Sequence, residues 1–131
     1  MIIIRQMKYG FAVMGSPVSA QSSPNSKRKY QMKVAEAASS NIASATGADT
    51  NIKIEIDWFA DGFHNKPDVD NILKPIQDAL KGIVFPDDNQ VENIVVRKHD
   101  TLDMIRFHDE PLAIISPLLS GYKDYIFIRI Y

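Results

Sequence analysis

Cysteine is missing from this 131-residue chain. Its absence excludes a disulfide framework and any thiolate zinc site, and it leaves a bound metal only oxygen or imidazole ligands, which favours a hard divalent cation. Nor is there an apolar run of the roughly 18 residues that a membrane helix requires. The opening Met1-Ile2-Ile3-Ile4 is interrupted at once by Arg5 and Lys8, too soon for the apolar core of a signal peptide, and reads as a strand. A cytoplasmic location is expected, with no membrane partner. Acidic side chains are also absent from the first 35 residues, where Arg5, Lys8, Lys27, Arg28, Lys29 and Lys33 give a local charge of +6. The other 96 residues hold nine basic and sixteen acidic side chains, a balance of −7, so the near-neutral total of −1 conceals a separation of charge. A basic flank can hold phosphates while an acidic centre holds a cation, the division of labour that a metal-dependent nuclease needs.

What is present describes an ordinary folded domain. A chain that is 45% hydrophobic and 24% charged is neither disordered nor fibrous, and the length suits one domain covering residues 1–131. Weak alternation through Tyr9, Phe11 and Val13 predicts a first strand over residues 7–14. Residues 15–26 are rich in Gly, Ser and Pro, so Lys27-Arg28-Lys29 is expected on the edge of a mobile loop. A helix follows over residues 30–45, with Met32, Val34, Ala35, Ala38 and Ile42 spaced along it and Gly47 ending it. Over residues 51–59, Ile52, Ile54, Ile56 and Trp58 alternate strictly with Lys53, Glu55 and Asp57, the pattern of a strand with one apolar and one polar face. Residues 68–83 carry Val69, Ile72, Leu73, Ile76, Ala79, Leu80 and Ile83 at helical offsets. Pro75 lies inside that run and would remove a hydrogen bond, so the helix should start late, near Asn71, or bend. A turn at residues 86–89, a strand over 91–97, a short helix or irregular excursion within 102–122 and a closing strand over 124–131 complete the reading. The expected fold is mixed α/β, a single mixed sheet packed by two main helices.

The chemistry gathers around the second helix. Asp68 and Asp70 lie two apart where loop gives way to helix, so both carboxylates can project to one side, and Lys74 follows Asp70 by one helical turn on the same face. Asp87 and Asp88 return toward the next strand. Hard carboxylates can fix a magnesium ion that polarises a phosphate oxygen and sharpens bound water as a nucleophile. A lysine beside them can offset charge that develops on the phosphate. Each residue also has a plainer use: an aspartate before a helix is commonly its cap, Asp87-Asp88 suits a turn, Lys74 can pair on the surface with Asp70 or Asp78, and Asp78 can cap or cross-link the fold.

The run Asp-Val-Asp-Asn-Ile-Leu-Lys from Asp68, then Asp-Ala-Leu from Asp78 and Asp-Asp-Asn-Gln-Val from Asp87, resembles the core motif of the RusA family of Holliday junction resolvases of bacteria and phages. The resemblance is densest over residues 66–96 and fades beyond Lys98. It implies catalytic roles for Asp68, Asp70, Lys74 and Asp88, the three aspartates acting as ligands of Mg2+, or of Mn2+ in its place. It also implies a homodimer that binds four-way DNA junctions and cuts two strands symmetrically, in recombination and repair. Two active sites related by a two-fold axis suit symmetric cutting.

Phosphate contacts are expected first at Lys27, Arg28 and Lys29, then at Lys66, Arg97 and Lys98. Trp58 and Phe59 could stack on an unpaired base, although core packing is the commoner use of such rings. His64, beside the acids, could touch phosphate or move a proton, but a single loop histidine is more often incidental. His99 and His108 carry no signal. Two other functions use the same residues: a magnesium-dependent phosphohydrolase acting on small phosphate esters, and a non-catalytic DNA-binding module whose acids only cap and turn.

Overall fold

Strand β2 (Ile52–Ala60) and strand β4 (Tyr125–Ile130) form the middle of one four-stranded sheet. The computed structural model describes residues 7–101 and 112–131. Within them the order is β1 (Tyr9–Met14), α1 (Pro24–Asn41), β2, α2 (Val69–Leu80), β3 (Val91–Asp100), α3 (Leu112–Leu119) and β4. The expected mixed α/β architecture and element order are found; the strand expected at Met1–Arg5 lies outside the described residues. Spatially the strands run β1-β4-β2-β3, with β2 and β3 parallel and both other pairings antiparallel. Joining two parallel strands requires a crossover, and α2 supplies it between β2 and β3.

Period-two alternation sorts the sheet into two faces. Ile54, Ile56 and Trp58 of β2 stand in register with Ile130, Ile128 and Ile126 of β4, and with Phe11 and Val13 of β1 they form the main core under α1 and α2. From α1 come Tyr30, Val34 and Ala38, and from α2 come Ile72, Ile76 and Leu80. Each fully buried Val, Ile, Leu or Phe among them contributes about 1.5–3 kcal/mol. A smaller cluster on the opposite face joins Phe59, Tyr125 and Phe127 to Ile114 of α3, where the Tyr125 hydroxyl donates to the Ile114 carbonyl at 2.9 Å.

Three expectations change. Helix α1 begins at Pro24, six residues before the expected start: Ser23 caps it by accepting from the Ser26 amide, and Pro24 occupies the first turn, where its missing N–H costs nothing. Lys27, Arg28 and Lys29 therefore sit in the helix, not on a loop edge. Helix α2 starts at Val69 and runs through Pro75. Proline deprives the Asn71 carbonyl of its helical donor, and the Ala20 amide replaces that donor from outside the helix at 2.7 Å. Finally, the polar side of β2 is not a solvated face, because Glu55 and Asp57 are buried.

Candidate active site

Asp68 occupies the N-cap position of α2 but makes no side-chain capping hydrogen bond. A capping aspartate would spend an oxygen on the amide two or three residues on, so the exposed Asp68 carboxylate keeps its acceptors. Asp70 is also exposed, in the first helical turn. Just before them Asn65 adopts a left-handed conformation (φ 61°), which Asn tolerates better than most residues and which turns the loop toward the helix.

One turn on, Lys74 is exposed and its ammonium meets the Asp78 carboxylate at 2.8 Å. The hydrogen bond and charge of Asp78 hold the lysine pKa above its ordinary value, with a smaller contribution from the charge of Asp88. Past α2, the two neighbouring aspartates divide their work. The Asp87 carboxylate accepts from the Asn89 amide at 3.1 Å, and the Asp87 amide donates to Gln90 at 3.0 Å, closing a capping box on the short 3-10 turn Asp88–Gln90. Asp88 is left facing α2, held loosely by Gln77 at 3.5 Å and Lys81 at 3.8 Å. These are long contacts, easily exchanged.

In kind, Asp68, Asp70 and Asp88 offer what a hard divalent cation takes: carboxylate oxygens that no strong internal bond consumes. In placement they are not a closed cage. Among the described residues, no three His, Asp or Glu side chains stand together in a group able to hold a metal ion.

The basic residues are distributed more widely than their order in the chain suggests. Lys27 and Arg28 turn toward α2 and line a cavity of about 370 Å³ with Lys74 and Asp78. Lys29 lines a different hollow with Lys33. Lys66 ties its loop down by donating to Ser16 at 3.0 Å and Asp124 at 3.4 Å. Arg97 and Lys98, adjacent in β3, point to opposite faces of the sheet. Arg97 pairs with Glu55 at 3.2 Å and Asp57 at 3.6 Å, whereas Lys98 lies over the Trp58 and Phe63 rings on the α2 side. Trp58 and Phe59 are completely buried, so neither ring is available to a base. Phe59 is itself stacked between His99 and Tyr125.

The sequence reading also missed a buried ionic network on the second sheet face. Asp57 accepts from Arg129 at 2.8 Å and contacts His99 Nε2 at 2.8 Å, while Glu55 meets Arg97, Arg129, Lys53 and the Tyr131 hydroxyl. Burial pushes both carboxyl pKa values up. The bonds from His99 and Arg129 to Asp57, and from Arg97, Lys53 and Tyr131 to Glu55, outweigh it and hold both below the ordinary range. Their cross-strand positions, Glu55 opposite Arg129 and Asp57 opposite Arg97, could have been found only from the strand pairing.

A family model described as endodeoxyribonuclease RusA matches residues 18–103, the span from the loop before α1 to just past β3. The chain belongs to the RusA endodeoxyribonuclease family. Membership makes it a hydrolase, an endonuclease of the Holliday junction resolvase class whose substrate is branched DNA. RusA nucleases generally depend on a divalent metal, in keeping with the carboxylates around α2. No curated protein matches the chain. No helix among the described residues is long and apolar enough to cross a membrane.

Proposed function

We propose that this protein is a magnesium-dependent RusA-type resolvase, a single domain over residues 1–131, that cuts four-way DNA junctions by paired phosphodiester hydrolysis. The observation that carries the proposal is the arrangement on α2: Asp68 and Asp70 uncommitted at its start, Lys74 one turn on, and Asp88 turned toward the same helix while Asp87 does the structural capping. Asp68, Asp70 and Asp88 are the residues that hold the cation, with Mn2+ able to replace Mg2+. Bound there, the cation supplies Lewis acidity toward the phosphate and lowers the pKa of water.

The chain's own residues do the rest. Asp88 exchanges its long contacts to Gln77 and Lys81 for the reacting centre, and Lys74 offers its ammonium to the phosphate oxygens as negative charge builds on them. Lys27, Arg28, Lys29, Lys66, Arg97 and Lys98 are proposed to neutralise phosphates along the junction arms. A homodimer presents two such sites across a two-fold axis, which matches the symmetry of a junction and allows two strands to be cut. We further infer a cytoplasmic protein of bacterial or phage origin, where such junctions arise.

The test is cleavage of a labelled four-way junction beside a linear duplex of the same sequence, with magnesium, with manganese and with neither. Cutting confined to the junction, dependent on the cation and reduced to background in a folded Asp70→Asn variant, is the expected result. Equal cutting of both DNAs would instead indicate a general nuclease. Turnover of small phosphate esters alone, or cation-independent junction binding with no cleavage, would overturn the proposal in favour of a phosphohydrolase or a binding module.

A further inference from the structure

The missing amide of Pro75 does more than interrupt a ladder. Asn71 receives the Ala20 amide at 2.7 Å in place of it, and the Pro75 carbonyl receives the Gln31 side chain at 3.1 Å. Two bonds therefore fasten α1 and the loop before it to one turn of α2, the turn that ends at the lysine of the site. Between the fastened elements lies the cavity of about 370 Å³ lined by Ala20, Pro24, Lys27, Arg28 and Gln31 on one side and by Lys74, Pro75 and Asp78 on the other. Three cations and one anion border it. Lys27 is fixed on its rim by donating to the Ala20 carbonyl at 3.2 Å, and Arg28 is exposed.

We propose that this groove seats a DNA phosphate that flanks the one being cut, with Arg28 and Lys27 as its ligands and Lys74 on the rim between it and the phosphate being cut. The proposal rests on the resolvase reading and adds the place of one phosphate and a role for Asp78. An anion there would complete the charge pattern: three like charges face one hollow, and Asp78 neutralises only the lysine. Asp78 is a positioning residue. It holds Lys74 at 2.8 Å in the free protein and competes with the DNA phosphates on either side for it.

Binding of a junction should be measured without divalent cation, so that no strand is cut. The DNA carries a single neutral methylphosphonate at each position flanking the cleavage site in turn. With unmodified DNA, Arg28→Ala should weaken binding about tenfold and lower the slope of log K against log salt by about one. At one flanking position the methylphosphonate should weaken wild-type binding but leave Arg28→Ala almost unaffected, because the contact is already gone. Lys29→Ala, whose side chain lines a different hollow, should lose affinity additively at that same position. Asp78→Asn should bind more tightly than wild type, and that gain should shrink when the methylphosphonate occupies the position that Arg28→Ala leaves unaffected, whereas a general loss of negative charge would raise affinity equally at every position.

If the losses for Arg28→Ala add at every flanking position, or if Asp78→Asn binds more weakly, the groove assignment is wrong while wild-type junction cleavage still stands. If wild type neither binds nor cuts the junction, the resolvase reading fails and takes the groove with it.

Discussion

Asp57 is inaccessible to solvent and yet charged, which is tolerable only because Arg129, Arg97 and His99 surround it. Removing the Asp57 charge leaves the partly buried Arg129 with Glu55 as its one acidic partner in the network. Asp57→Asn is therefore expected to lower unfolding free energy by about 3–5 kcal/mol, as read from urea denaturation at neutral pH. The network also sets an acid limit. Asp57 and Glu55 are both held below their ordinary pKa when folded, so their contribution is complete above the ordinary carboxylate value of about 4 and disappears as the pH falls through their lower folded-state values. The urea midpoint of the wild type should drop on going from about pH 5 to about pH 3, and an Asp57→Asn, Glu55→Gln double variant should show a flatter profile. At this scale the sequence was only half legible. Asp68, Asp70 and Lys74 could be grouped by spacing that fits a helix and its flank, while their roles, and the choice of Asp88 over Asp87, came from the resemblance to the family motif. Asp57 and Glu55 looked like the wet side of an alternating strand, because alternation separates the faces without saying whether the second is covered.

The elements themselves were more readable where apolar periodicity was strong. β2 and α2 emerged within a residue or two at their starts, since Ile52, Ile54, Ile56 and Trp58 admit one register and Ile72, Ile76 and Leu80 one helical face. α1 was misjudged at its beginning because the Ser- and Pro-rich approach reads equally as loop or as cap, and the cap at Ser23 with Pro24 after it decided the matter. Pro75 was read as delaying the helix to near Asn71 or bending it; the helix instead starts at Val69, and the Asn71 carbonyl that the proline leaves open takes the Ala20 amide. Gln31→Ala removes one of the two fastenings between α1 and α2 and is expected to cost about 1 kcal/mol. Pro75→Ala returns an amide to the helix to compete for the Asn71 carbonyl, so protection of the Ala20 amide against hydrogen exchange should fall. Unchanged protection would mean that the Ala20 contact does not depend on the proline.

For the whole molecule, the basic start of the chain is brought against the second helix, with Lys27 and Arg28 of α1 facing Lys74 and Asp78 of α2. Junction affinity should fall steeply as salt rises from about 50 to 200 mM, as it does wherever several phosphates are neutralised. Sedimentation of the free protein should give a two-subunit mass if the paired cutting proposed above is correct, and a monomer at cleavage-competent concentrations would argue against it. The sheet order could not be read from the sequence, because nothing in an apolar strand names its neighbour. That order, β1-β4-β2-β3, places β4, which follows the other three described strands in the chain, between β1 and β2. β1 and β2 share no edge, so Tyr125–Ile130 must be in place before the two can join. A chain without Tyr125–Ile130 would keep all four of the proposed active-site residues but leave β1 with no strand to join it to β2 and β3, so cleavage should require β4 although β4 contributes none of those residues.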